Sequence, residues 1–154
     1  DPLRSGIRSG SLNEVGIAAM GIALGRSLQR IDMDFEQISG LRARMDEILL
    51  NIDGITLNFE DKALVCNTSN YRIEDIDTRQ LCLVLRQQGL QVSESCSSTS
   101  MTTVETPLTA SLGQEPFRNI RFSLSIHNTT RDIEQAYLKV KAAVEMFRSH
   151  KLGN

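Results

Sequence analysis

The chain has 154 residues, 40% hydrophobic and 23% charged, with a formal net charge of −2. Such a length suits one compact domain, and the faint negative charge excludes a broad nucleic-acid footprint or an anionic membrane partner, both of which need clustered Lys and Arg. The longest nearly apolar run, Val15 to Leu24, is about half of the roughly 20 residues a membrane-spanning helix needs, and it lacks the basic lead and cleavage site of a signal peptide.

Residues 3–12 read as a Gly/Ser loop with two arginines. A helix is predicted from about Asn13. Its body is apolar nearly all round and rich in small residues, which predicts burial on several sides. Asp32 to Asp34 look like a break and a fresh N-cap. Phe35, Ile38, Leu41, Met45, Ile48 and Leu49 then recur at helical spacing, with Arg42, Arg44, Asp46 and Glu47 on the other face. Asp53-Gly54 ends that segment. Ile55 to Phe59 and Ala63 to Ile73 read as strands. Asp77 caps a helix through Gln88, which turns Leu81, Val84 and Leu85 inward, and Gly89 closes it. Leu90-Gln-Val starts a short strand. Residues 93–111 are more than half Ser and Thr, without a steady period, and read as a long loop. Asn119 to Ile126 alternates as a strand. Thr129-Thr130, followed by acidic residues, opens a last helix with Tyr137, Val140, Ala143, Val144 and Phe147 as its buried stripe. The sum is an α+β fold: a short, mostly antiparallel sheet with helices packed on one face.

The three cysteines, at 66, 82 and 96, form no C-x-x-C pair. A disulfide framework or zinc site is not expected, and a reducing, cytoplasmic setting is. Cys66 and Cys82 sit among apolar residues and read as buried, inert thiols. Cys96 lies in Ser-Glu-Ser-Cys-Ser-Ser-Thr-Ser, an accessible hydroxyl-rich segment. It is either a nucleophile or an incidental surface thiol. Arg121 interrupts an apolar alternation; it either faces solvent or enters a pocket, where it clamps a carboxylate. The run Arg8-Ser9-Gly10-Ser11 before a helix suits a phosphate, or is an ordinary loop. His127 and His150 have no metal-ligand spacing, and the sequons at Asn67 and Asn128 read as chance matches.

Three segments, in order, resemble one family. Gly6-Ile-Arg-Ser-Gly-Ser-Leu-Asn13 with its apolar helix is similar to the G-x-R-S-G-T-x-N segment of PLP-dependent cysteine desulfurases. Ser95-Cys96-Ser97-Ser98 resembles their catalytic S-A-C-S-S loop. Asn119-Ile-Arg-Phe-Ser-Leu-Ser125 and Asn128-Thr-Thr-Arg-Asp-Ile-Glu134 resemble their R-F-S-L strand and T-T-E-E-E-I helix start.

The resemblance implies the small C-terminal domain of a fold-type-I enzyme, usually a homodimer, that uses pyridoxal 5'-phosphate. It implies transfer of sulfur from L-cysteine to an enzyme cysteine, with release of alanine, and delivery to an acceptor or scaffold protein for iron–sulfur cluster or thio-cofactor synthesis. Carried over by position, Cys96 is the nucleophile, Arg121 holds the substrate carboxylate, and Ser11 reaches the cofactor phosphate of the partner subunit. Residues 1–30 would pack on a large domain, so that this chain by itself would expose the apolar face from Val15 to Leu28, and residues 31–154 would form the small one, with a mobile loop at about 93–111. The chain departs from the family in its catalytic loop: Glu94 stands there and the family's glycine does not.

The family's cofactor lysine follows a histidine. Lys62, Lys139, Lys141 and Lys151 lack that context, so the resemblance implies that the lysine precedes Asp1 and that this chain is inactive alone. A non-catalytic scaffold relative, or another PLP-dependent lyase or aminotransferase, is the alternative.

Overall fold

The structure, a computed structural model, describes residues 11–59, 65–94 and 118–152. Its elements in chain order are α1 (Glu14–Leu49), β1 (Ile55–Leu57), β2 (Thr68–Ile73), α2 (Thr78–Gln87), β3 (Ser93–Glu94), β4 (Asn119–Ser123) and α3 (Thr130–Leu152). The chain divides into two compact units, Asp1–Asp34 and Phe35–Asn154.

In the first unit α1 begins where the sequence places it. The Asn13 side chain accepts from Gly16 N–H at 3.0 Å, an N-cap that satisfies one of the helix's orphan donors. One expectation fails here. The predicted break at Asp32–Asp34 is absent, because α1 is helical through it. No proline or glycine occupies 31–35 to interrupt it, and Asp34 acts as the partner of Arg30 one turn back, at 3.3 Å, rather than as a cap. Val15 is 81% exposed and Met20 73%, and Ile17, Ile22, Leu24 and Leu28 are exposed as well, so this apolar helix is uncovered in the chain by itself.

In the second unit the four strands lie in the order β1-β2-β4-β3, every neighbouring pair antiparallel. The short β1 and β3 form the edges, which leaves little unpaired backbone to template association. Ile55, Tyr71, Ile73, Ile120, Phe122 and Leu124 point from one face into the core. There they meet Met45 and Leu49 of α1, Leu81 and Leu85 of α2, and Val140 and Val144 of α3. The period-2 pattern of the strands and the 3.6 pattern of the helices thus close on one another.

The helix boundaries follow from local chemistry. Asp77 accepts from Arg79 N–H at 2.9 Å. At the other end Gly89 (φ +77°) lets its own N–H reach Arg86 O at 2.9 Å and Leu90 N–H reach Leu85 O at 2.9 Å, the paired bonds of a Schellman stop. Because Leu90 is committed to that stop, and Val92 O accepts from Arg86 at 3.2 Å, the strand predicted from Leu90 starts at Ser93 instead. Thr129 N–H donates to Asp132 at 2.8 Å and Asp132 N–H donates to the Thr129 hydroxyl at 3.3 Å, a capping box for α3. Strand β2 begins at Thr68, later than the predicted Ala63, and residues 95–111 of the predicted loop lie outside the described residues.

Candidate functional site

The sheet has a second face, turned away from the helices, and its residues are polar. Along β2 these are Thr68, Asn70 and Arg72; along β4 they are Asn119, Arg121 and Ser123. They alternate with the core-facing positions because successive strand side chains point to opposite faces. Arg121 stands in the middle of β4, exposed, directly opposite Asn70 on one side and Ser93 on the other. The strand therefore presents its guanidinium outward, away from the core.

Two residues of this face, Asn70 and Asn119, join Asn58 in a knot of three buried asparagines. Asn58 Nδ2 donates to Asn70 Oδ1 at 2.7 Å and to Asn119 Oδ1 at 2.8 Å. Asn58 is itself tied to β2, its N–H donating to Asn70 O at 2.8 Å. The two bonds from Asn58 tie these strands together, although Asn119 Nδ2 has no hydrogen-bond partner among the described residues. They fix the strand segments that carry Arg121 and its neighbours.

On the helical face a different polar group holds α1 to the sheet. The buried Tyr71 hydroxyl and the Ser69 hydroxyl (2.7 Å) both donate to Asp46. Arg42 lies at 3.5 Å from Asp46 and donates to Ser69 at 3.1 Å. Burial first, then the bond to Asp46, push the Tyr71 hydroxyl well above the usual tyrosine range. A cleft of about 360 Å³ opens on this same side, among Met45, Leu90, Phe122, Ile133 and Lys139. It lies across the sheet from Arg121.

The three residues singled out in the sequence fare differently. Arg121 is displayed on the outer face. Ser11 is exposed just ahead of α1, in the first unit. Cys96 lies outside the described residues, two positions past Glu94, which is paired with Ile120 at the end of β3. Of the other cysteines, Cys82 is fully buried as expected, and burial, with a smaller contribution from the Glu94 charge, pushes its thiol up to about 12. Cys66 is only partly buried. Among the described residues no three His, Cys, Asp or Glu converge as metal ligands, and no helix is long and apolar enough to cross a membrane. Sequence reasoning missed Arg72 and the asparagine knot, whose members come together only across strands.

For a phosphate-bearing cofactor the described residues offer a partial fit. The Ser11 hydroxyl is exposed before a helix N-terminus, whose dipole favours anions. Asn13 already occupies one of the terminal amides, and Glu14 sits in the first turn. Lys139 donates to Gln88 O at 2.8 Å and Lys141 lies 5.9 Å from the Tyr137 ring centre. Both are occupied on the surface of α3, away from Arg121's face.

The sequence profile of the aminotransferase class-V family matches residues 1–136. The cysteine desulfurase NifS of Azotobacter vinelandii is 26% identical, over 94% of this chain and 37% of its own length. The cysteine desulfurase IscS of Buchnera aphidicola is 27% identical, over 94% of this chain and 36% of its own. The chain thus spans little more than a third of these relatives. Among solved structures, a NifS-like protein from Rickettsia africae superposes with a TM-score of 0.77 at 22% identity, covering 90% of this chain and 37% of that one. The cysteine desulfurase CsdA of Escherichia coli superposes with a TM-score of 0.68 at 17% identity, covering 90% and 32%.

Proposed function

From its membership of the aminotransferase class-V family, we propose that this chain is the C-terminal part of a PLP-dependent cysteine desulfurase, in which Arg121 holds the substrate carboxylate and Cys96 accepts the sulfur. The observation that carries this reading is the display of Arg121 on the polar outer face, beside the edge strand from which the chain runs on to Cys96. A guanidinium held by a sheet binds a carboxylate bidentately and fixes its orientation. That places the far end of a small amino acid at a defined distance from the strand.

The residues divide the work as follows. Arg121 binds and orients L-cysteine. The Cys96 thiolate attacks the substrate sulfur; the carbon–sulfur bond breaks, a sulfur–sulfur bond forms, and alanine leaves with a proton on its β-carbon. The chain segment around Cys96 then carries the persulfide to an acceptor protein, for iron–sulfur cluster or thio-cofactor synthesis. Ser11 contributes a hydroxyl to the cofactor phosphate of the partner subunit in a homodimer. Pyridoxal phosphate, when bound, serves as the electron sink for chemistry at the substrate α-carbon. The lysine that carries it belongs to a preceding large domain, so this chain is inactive alone, and the whole protein works in the cytoplasm. Residues 1–30 pack on that domain; the exposed apolar side chains of α1 from Val15 to Leu28 are the kind of surface that needs a cover.

The test uses the full-length protein with PLP and L-cysteine, with alanine and protein-bound persulfide as readouts, in the wild type and in Cys96→Ser. Persulfide on Cys96, lost in the variant, is the expected result. Alanine formed equally by both would favour another PLP-dependent lyase. Absence of both products would leave a non-catalytic scaffold relative.

A further inference from the structure

Two donors on the outer face have no acceptor among the described residues. Asn119 is 3% exposed, and its Nδ2 is buried without a hydrogen-bond partner; the Arg72 Nε is in the same state. The two residues are directly opposite one another, Arg72 on β2 and Asn119 on β4. Leaving a buried donor unmade is unfavourable, and native structures rarely tolerate it without a reason. Two on one register pair mark a place where an acceptor belongs.

The Asn119 amide is not free to turn away from this role. Its Oδ1 accepts from Asn58 Nδ2 at 2.8 Å, so a flipped amide would set two NH₂ groups against each other. The nitrogen is therefore held as a donor. The charge of the two arginines on this face is also open to an anion. Arg30, Arg42, Arg44 and Arg79 each have a carboxylate within 4 Å. Arg72 and Arg121 have none among the described residues.

Arg72 and Arg121 sit diagonally on neighbouring strands of one face, a spacing of about 7–8 Å that long side chains bridge. Both guanidinium groups can therefore converge on one oxyanion. A planar carboxylate matches the fork of a guanidinium and has lone pairs left for an amide.

We propose that Arg72 and Asn119 complete a carboxylate-binding position with Arg121, so that the substrate carboxylate is held by two guanidinium groups and one amide. The proposal rests on the reading that this face meets the substrate. It adds Arg72 and Asn119 as the residues that set its selectivity for a carboxylate over a neutral group of the same shape.

Calorimetric titration of the full-length protein with propionate and with propionamide tests it. In Arg72→Gln, propionate is expected to bind about tenfold more weakly while propionamide is unchanged. In Arg72→Lys, which keeps the charge and the apolar stem, propionate weakens several-fold, so the test stands even if the glutamine variant folds poorly. The nearly isosteric Asn119→Asp abolishes propionate binding and spares propionamide. Arg121→Gln separates the two ideas. If it weakens propionate and the Arg72 and Asn119 variants do not, the proposal is overturned and the reading of Arg121 survives. If Arg121→Gln leaves propionate unchanged, the face is not the carboxylate site and both fall.

Discussion

Removing one oxygen at Tyr71 tests how α1 is held to the sheet. Tyr71 is 1% exposed and its ring meets Phe122 edge-on, centroids 5.7 Å apart at 80°. Tyr71→Phe keeps that packing and deletes only the hydroxyl that donates to Asp46. A hydrogen bond to a charged group contributes about 1.5–3 kcal/mol. Asp46 keeps the Ser69 hydroxyl and Arg42, so it is not stranded, and the expected loss is near the low end, about 1.5 kcal/mol. Urea unfolding should show a lower midpoint with an unchanged slope, since no surface area is gained or lost.

A double-mutant cycle with Asp46→Ala isolates the pair, and the two losses should be clearly non-additive. The pH dependence carries a sign as well. The folded-state value of Tyr71 is raised, so its contribution is fully present below the unfolded value near 10 and is lost as pH rises beyond it. Wild type should lose stability above about pH 10 more steeply than Tyr71→Phe. A loss under about 0.5 kcal/mol with additive cycle energies would refute the claim that this bond fastens the helix.

Two further outcomes follow from local geometry. Asp77→Ala removes the N-cap of α2, with an expected loss of about 1 kcal/mol by chemical denaturation. The Arg79 side-chain bond is the main cause holding the Asp77 carboxyl below its usual range, so its contribution is present above the unfolded value near 4 and is lost as pH falls below that. The destabilisation by Asp77→Ala should therefore shrink in acid. Cys82, with its thiol pushed up to about 12 and no exposure, should resist iodoacetamide at pH 8 until the protein is unfolded. Peptide mass spectrometry of the alkylated protein reads this directly, and rapid native labelling at Cys82 would contradict the buried placement.

What could be read in advance was local. Asp77, Gly89 and Thr129 announced their helix ends, because a cap needs only the next few residues. The alternation Ile120, Phe122, Leu124 announced both a strand and its buried face. The apolar run from Val15 announced a helix and a surface that needs a cover, but periodicity reports that a surface is apolar and not where its cover lies. The break at Asp32–Asp34 was misread because acidic residues serve equally as caps and as partners one turn away, and only the continued backbone distinguishes them.

The sequence by itself determined the class of fold, the order of its elements and the interest of Ser11, Cys96 and Arg121. Those conclusions rest on side-chain period and on segments whose meaning is contained within a few residues. The tertiary structure alone decided the rest. Asn58, Asn70 and Asn119 are separated by up to 61 positions, yet they meet in one hydrogen-bonded knot. Arg72 acquires significance only because strand register sets it opposite Asn119 and diagonal to Arg121. Register is a long-range property, fixed when one face of every strand is buried at once. No short stretch of this chain carries it.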